Sequence, residues 1–181
     1  PKGLFDEDFG FHTYAEYLWN LPPIMKPEGD NFVYCGEDRV CDIWDERLLS
    51  LEDVDHIISM TFLDVRLKNY VEIRGADSIP AEYMMAYLAF IKGIFFDKQV
   101  SEILLSRYHV TIRDIQRADQ SLCKDGYQGE IYGVLADQFF LELLTLAKTH
   151  LKNGEEELLD PFFSLVDEKT TLAAKYQKNE L

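Results

Sequence analysis

The stretch Asp64-Val65-Arg66-Leu67-Lys68-Asn69-Tyr70-Val71-Glu72-Ile73-Arg74-Gly75-Ala76-Asp77 alternates apolar residues with ionised or polar ones. Val65, Leu67, Val71 and Ile73 fall at odd positions, and Arg66, Lys68, Tyr70, Glu72 and Arg74 at even ones. Successive side chains of a β-strand point to opposite faces, so this pattern predicts one apolar face and one charged face. Asn69 interrupts the apolar series and marks a place for a bend or bulge. The charged face admits two uses. Opposite charges can pair across strands on the solvated side of an antiparallel sheet. Alternatively, the two arginines bind carboxylate or phosphate through their planar forks, and Glu72 holds a cation. The pattern by itself leaves both readings open.

The elements that would position this face can be read on either side of it. Ser50-Leu51-Glu52-Asp53 is an N-cap signal ahead of Val54, Ile57 and Ile58, and predicts a helix over 51–59 leading into the charged stretch. His56 lies in that helix, and as a lone histidine it reads as structural. After Asp77, Ser78 is a candidate cap and Pro80 suits a first helical turn. Tyr83, Met84, Tyr87, Leu88, Ile91, Ile94 and Phe95 then cover most of a helix circumference, which places that helix beneath other elements. Upstream, the spacing predicts a helix over 9–20 ended by Pro22-Pro23. A strand–turn–strand follows over 24–34 with Pro27-Glu28-Gly29-Asp30 as its turn, and then a polar loop or short helix over 36–47. Downstream, helices are predicted over 100–108, 111–122, 131–151, 155–166 with a break at Pro161, and 170–176. The fold class is α+β: a small antiparallel sheet from residues 1–79 and a mainly helical part from 80–181, forming a single domain.

Composition bounds the function classes. A chain of 181 residues with 47% hydrophobic content can bury one sizeable core. A net charge of −15 excludes a nonspecific nucleic-acid or anionic-membrane binder, since phosphate contacts need Lys and Arg to replace counterions. It does not exclude a nucleotide, which a few focused arginines can bind. Cys35, Cys41 and Cys123 are too few and too dispersed for a disulfide scaffold or a zinc site, so reduced thiols in a cytoplasmic protein are expected. No leader is recognised, and no run reaches the roughly 18 apolar residues of a spanning helix.

The run Val65-Arg66-Leu67-Lys68, then Glu72-Ile73-Arg74-Gly75-Ala76-Asp77, then Pro80 and a long apolar helix resembles the glutamate–cysteine ligase (γ-glutamylcysteine synthetase) family. The resemblance is nearest to the branch containing the plant enzymes and spans His56 to Asp97; more loosely, Phe9 to Pro23 is similar to the family's Phe-x-x-Tyr-x-x-Tyr-x-x-x-x-Pro segment. The resemblance implies part of a glutamine-synthetase-like catalytic domain that joins the γ-carboxylate of glutamate to the amine of cysteine. ATP and Mg²⁺ would serve a γ-glutamyl phosphate intermediate in glutathione biosynthesis. It further implies Arg66 and Arg74 as catalytic and substrate-binding residues, Tyr70 as a substrate-binding residue and Glu72 as a metal ligand. Glu72 in a salt bridge to Arg66 or Arg74 is the alternative. The family's other half-site lies N-terminal to this region, so the chain is expected to be the C-terminal portion of a longer ligase and inactive alone. Other expectations are a carboxylate–amine ligase of the same superfamily with a different acceptor, or a non-catalytic binding module. Exposed sheet edges would also allow pairing with a second copy of the chain.

Overall fold

In the computed structural model, which describes residues 3–179, the chain divides between Asp77 and Ser78 into two compact units. The first carries α1 (Phe11–Trp19), β1 (Met25–Glu28), β2 (Asn31–Tyr34), α2 (Val40–Ile43), α3 (Leu51–Ser59), β3 (Val65–Leu67) and β4 (Val71–Ile73). Helix α3 starts where the sequence places it. The Ser50 hydroxyl accepts from the Asp53 N–H at 3.0 Å, and the Asp53 carboxylate accepts from the Ser50 N–H at 2.9 Å. Two of the helix's first donors and its entering turn are thereby satisfied. His56 is structural. Its Nε2 lies 3.1 Å from the Met25 carbonyl, and its ring packs 5.3 Å from that of Phe32, which ties α3 to the β1–β2 hairpin.

Strands β1 and β2 pair antiparallel with Glu28 opposite Asn31, so Pro27 and Glu28 belong to the strand and only Gly29-Asp30 turn the chain. Gly29 sits at φ +61, a left-handed value that costs glycine nothing. The stretch 64–77 departs further from expectation: it is a hairpin of two short strands. Val65 pairs Ile73, Arg66 pairs Glu72 and Leu67 pairs Val71. The Lys68 N–H donates to the Tyr70 carbonyl at 2.8 Å, and the reversal centres on Asn69, the residue that interrupts the alternation. Of the apolar set, Val65 and Val71 stand exposed while Arg66 is buried, the reverse of the burial expected for the two faces.

The second unit carries α4 (Ala81–Phe95), α5 (Lys98–Arg107), α6 (Ile112–Asp125), β5 (Glu130–Ile131), β6 (Val134–Leu135), α7 (Ala136–His150), α8 (Asp160–Asp167) and α9 (Leu172–Gln177). Pro80, not Ser78, is the N-cap of α4, because Ser78 lies too early to reach the first helical donors. Thr111 caps α6 with Asp114 returning the bond. The predicted helix over 131–151 begins only at Ala136. Before it, β5 and β6 make a hairpin whose turn residues Tyr132 and Gly133 have φ values of 52 and 86, the two-residue geometry that matches strand twist. A tyrosine in that place hides the turn signal that Asn-Gly would have given. The sheet content is therefore three separate two-stranded antiparallel pairs among the described residues.

The main core of this unit gathers Ala89, Ile94, Val100, Leu144, Ala147, Leu151 and Leu159. Small residues let α4 and α7 approach: a Cβ on Gly93 would stand 2.8 Å from the Cα, Cβ and carbonyl oxygen of Ala147. A second cluster joins Ala118, Ile131 and Ala136, with Phe139 and Phe140 against it. No helix among the described residues is long and apolar enough to cross a membrane. Cys35, Cys41 and Cys123 are all free thiols.

Candidate functional site

The β3–β4 hairpin places Arg66 directly opposite Glu72, on the same face and one rung apart from Arg74. Arg66 is buried, at 8% exposure, and its guanidinium is almost fully engaged. Nε donates to Glu72 Oε2 at 2.9 Å, and Nη2 donates to Oε1 at 3.0 Å and to Oε2 at 2.7 Å. Nη1 donates to the Ser59 carbonyl at 2.5 Å. Ser59 is the last residue of α3, where backbone carbonyls lack helical partners and the helix dipole is negative, so a guanidinium there is doubly favoured. Arg66 thus stitches the end of α3 to both strands of the hairpin. No sequence signal marks the Ser59 carbonyl as a partner, since any residue ending a helix supplies one.

Arg74 lies beyond β4, and its backbone N–H donates to the Asp64 carbonyl at 2.8 Å, extending the ladder by one rung. Its guanidinium sits over the Phe62 ring, 5.0 Å from the centroid. A cation over an aromatic face is attracted by the ring quadrupole yet keeps its N–H fork free to donate. No carboxylate among the described residues forms an ion pair with it. Tyr70 is exposed in the hairpin turn. The structure therefore brings Arg66 and Glu72 together, sets Arg74 beyond the last paired residue with its own aromatic partner, and places Tyr70 exposed in the turn.

As a metal ligand, Glu72 would have to surrender both oxygens from a bidentate guanidinium. Mg²⁺ takes several oxygen ligands in near-octahedral geometry. Among the described residues no group of three or more His, Cys, Asp or Glu side chains converges in a way that could hold a metal ion. The residues present do not make a cation site here. The geometry instead leaves a neutralised Arg66–Glu72 pair and, beyond it, an Arg74 guanidinium resting on the Phe62 ring.

A charged antiparallel hairpin followed by a helical unit defines an α+β protein, a description many unrelated proteins share. The sequence is more specific. Residues 1–175 match the model of glutamate–cysteine ligase family 2, and the chain belongs to that family. It is 26% identical over 157 residues to the chloroplastic glutamate–cysteine ligase of Solanum lycopersicum, an alignment covering 82% of this chain and 30% of that protein. The corresponding enzyme of Medicago truncatula is also 26% identical over 157 residues, covering 82% of this chain and 31% of its own length. The Nicotiana tabacum enzyme is 30% identical over 102 residues, 52% of this chain and 20% of the relative. The chain thus spans less than a third of the length of the curated relatives it matches.

Proposed function

We propose that this chain is the C-terminal part of a glutamine-synthetase-like catalytic domain in an ATP-dependent glutamate–cysteine ligase of glutathione biosynthesis. The reaction phosphorylates the γ-carboxylate of glutamate with ATP. The amine of cysteine then attacks the acyl phosphate and expels inorganic phosphate. Activation is needed because a carboxylate oxygen is a poor leaving group. Charge on the transferring phosphoryl must be met by fixed positive groups. In this reading Arg74 contacts the phosphoryl oxygens or the glutamate carboxylate, because its guanidinium is aromatic-supported and, among the described residues, not ion-paired. Arg66 is a positioning residue: with Glu72 it locks the rung from which Arg74 projects. Tyr70, in the open turn, lines the substrate. Mg²⁺ neutralises phosphate charge in such chemistry, and its ligands are assigned to the remainder of the longer ligase, since Glu72 is occupied by Arg66.

The family match across residues 1–175 carries this reading. It is tested on the full open reading frame containing this chain, by phosphate release that requires both glutamate and cysteine. Arg74→Gln in that protein is expected to lower kcat/KM by about 10²-fold or more, the cost of losing one preorganised electrostatic group. An unchanged Arg74→Gln enzyme would remove Arg74 from the site. The 181-residue chain alone is expected to release no phosphate, and turnover by it would refute its status as a part. Release with glutamate and an amine other than cysteine would reassign the acceptor.

A further inference from the structure

The second unit holds a cleft of about 400 Å³ between the α5–α6 connection and the β5–β6 hairpin, remote in sequence from the Arg66 hairpin. Arg107, Arg117 and the His109 ring face it together with the carboxylates of Asp114 and Glu130. These charges are unequally satisfied. Arg107 is taken by Glu142, and Asp114 accepts from the Thr111 N–H and hydroxyl at 2.9 and 2.6 Å. Arg117 reaches only one oxygen of Asp114, at 3.8 Å, beyond hydrogen-bond range. Neither the His109 ring nor the Glu130 side chain has a hydrogen bond or ion pair among the described residues. A carboxylate and an imidazole therefore stand open in one cleft, neither of them partnered among the described residues.

Tyr132 adds an independent observation. It lines the same cleft at φ 52, a left-handed backbone conformation that a bulky side chain rarely adopts. The conformation persists because the ring is wedged, its centroid 5.6 Å from that of Phe139 and 5.9 Å from that of Tyr108. Asn or Gly would turn this hairpin without strain. The strain instead presents a half-buried aromatic face beside the unpaired charges.

We infer that this cleft binds a small zwitterion of the α-amino-acid type with an aromatic or apolar side chain. Arg117 and His109 receive its carboxylate, Glu130 receives its ammonium, and its side chain lies on Tyr132. The inference does not depend on the ligase reading, because none of these residues belongs to the Arg66 hairpin. His109, Arg117 and Glu130 are all exposed, so their replacement leaves the fold intact.

The test is an NMR titration of the full chain with L-phenylalanine, phenylacetate and phenethylamine, following the rings of Tyr132 and His109. L-phenylalanine is expected to shift both rings saturably and to bind more tightly than either fragment. Glu130→Gln should weaken L-phenylalanine and phenethylamine about fivefold and leave phenylacetate unchanged, the scale of one exposed ion pair. Arg117→Gln should do the converse, weakening L-phenylalanine and phenylacetate while sparing phenethylamine. Absence of shifts at both rings overturns the proposal. So does equal loss across the three compounds, or phenylacetate binding as tightly as L-phenylalanine, which would mark a plain anion site.

Discussion

Glu72→Gln separates a brace from a ligand, because a brace lowers the thermal midpoint on losing its charge and an unliganded metal-binding carboxylate does not. Glutamine keeps the size and one acceptor oxygen but removes the charge, so Arg66 stays ionised at 8% exposure facing a neutral amide. Removing one partner of a fully buried pair costs about 3–5 kcal/mol, because the other charge is left unpaired. The Glu72 side chain is 30% exposed against 10% for Arg66, so water reaches one side of the pair and the cost is smaller. About 2 kcal/mol is a fair figure between the buried and exposed limits. For a unit of this size each kcal/mol moves the midpoint by about 4–8 °C, which gives a fall of about 8–16 °C. The assay is a thermal melt of the 181-residue chain followed by tryptophan fluorescence. Trp19 and Trp44, its two tryptophans, both lie in the unit that contains the hairpin. Replacing the pair together, Arg66→Met with Glu72→Leu, should recover most of the loss, since no unpaired charge remains. A Glu72→Gln midpoint within about 2 °C of the parent would refute the brace and return the carboxylate to the list of groups free to hold a cation.

Gly93→Ala tests the α4–α7 approach: helix propensity favours alanine by about 1 kcal/mol, but overpacking costs about 1–3 kcal/mol. With three atoms of Ala147 at 2.8 Å from the new Cβ, packing should win and lower the far-UV circular dichroism midpoint; a raised midpoint would mean the helices part freely. Tyr14→Phe should raise the fluorescence-detected midpoint, because the Tyr14 hydroxyl is buried without a hydrogen-bond partner, and deleting an unsatisfied group recovers about 1–3 kcal/mol. Asp97→Asn should flatten the acid limb of stability. The His150 Nδ1–H at 2.8 Å, then the Gln99 N–H, hold the Asp97 carboxyl below its usual range. A depressed folded pKa gives stability that is present above the unfolded value of about 4 and is lost as pH falls through the folded one. Melts between those limits should therefore converge for parent and variant at the acid end, and parallel curves would contradict the assignment.

Much of the helical frame was legible because its punctuation is local. Ser50 with Asp53 is a capping box whose partners sit three residues apart, so sequence and structure report the same bond. The β1–β2 hairpin was legible from its turn residues, but the β3–β4 hairpin was not, for a physical reason. Arg66 and Glu72 are both even-numbered and face one another. A hairpin whose paired residues share parity preserves the same odd–even alternation as one continuous strand. Alternation tells which residues share a face and is silent on whether the chain has reversed between them. It is equally silent on which face is covered, as the buried Arg66 and exposed Val65 and Val71 demonstrate. At β5–β6 the failure has another source. Tyr132 occupies a left-handed turn position that residue statistics reserve for Gly, Asn and Asp, so the turn was absorbed into the predicted helix.

The same limit governs the site. Arg66 and Arg74 are one residue type, on one face, in one motif, and nothing in their spacing distinguishes them. A single rung does. Arg66 lies opposite a carboxylate long enough to meet its fork and below a helix end that supplies a spare carbonyl. Arg74 falls past the last paired residue, where its neighbour across the ladder contributes a backbone carbonyl and Phe62 contributes a ring. A guanidinium with three hydrogen bonds to a carboxylate and one to a helix terminus cannot also grip a substrate without exposing a buried charge pair. One resting on an aromatic face gives up little when an oxyanion arrives, since the ring attracts the cation without occupying its donors. The different surroundings of two like residues, one bound to a carboxylate and a helix end and one resting on an aromatic ring, follow from register, a quantity fixed only when the chain folds back on itself.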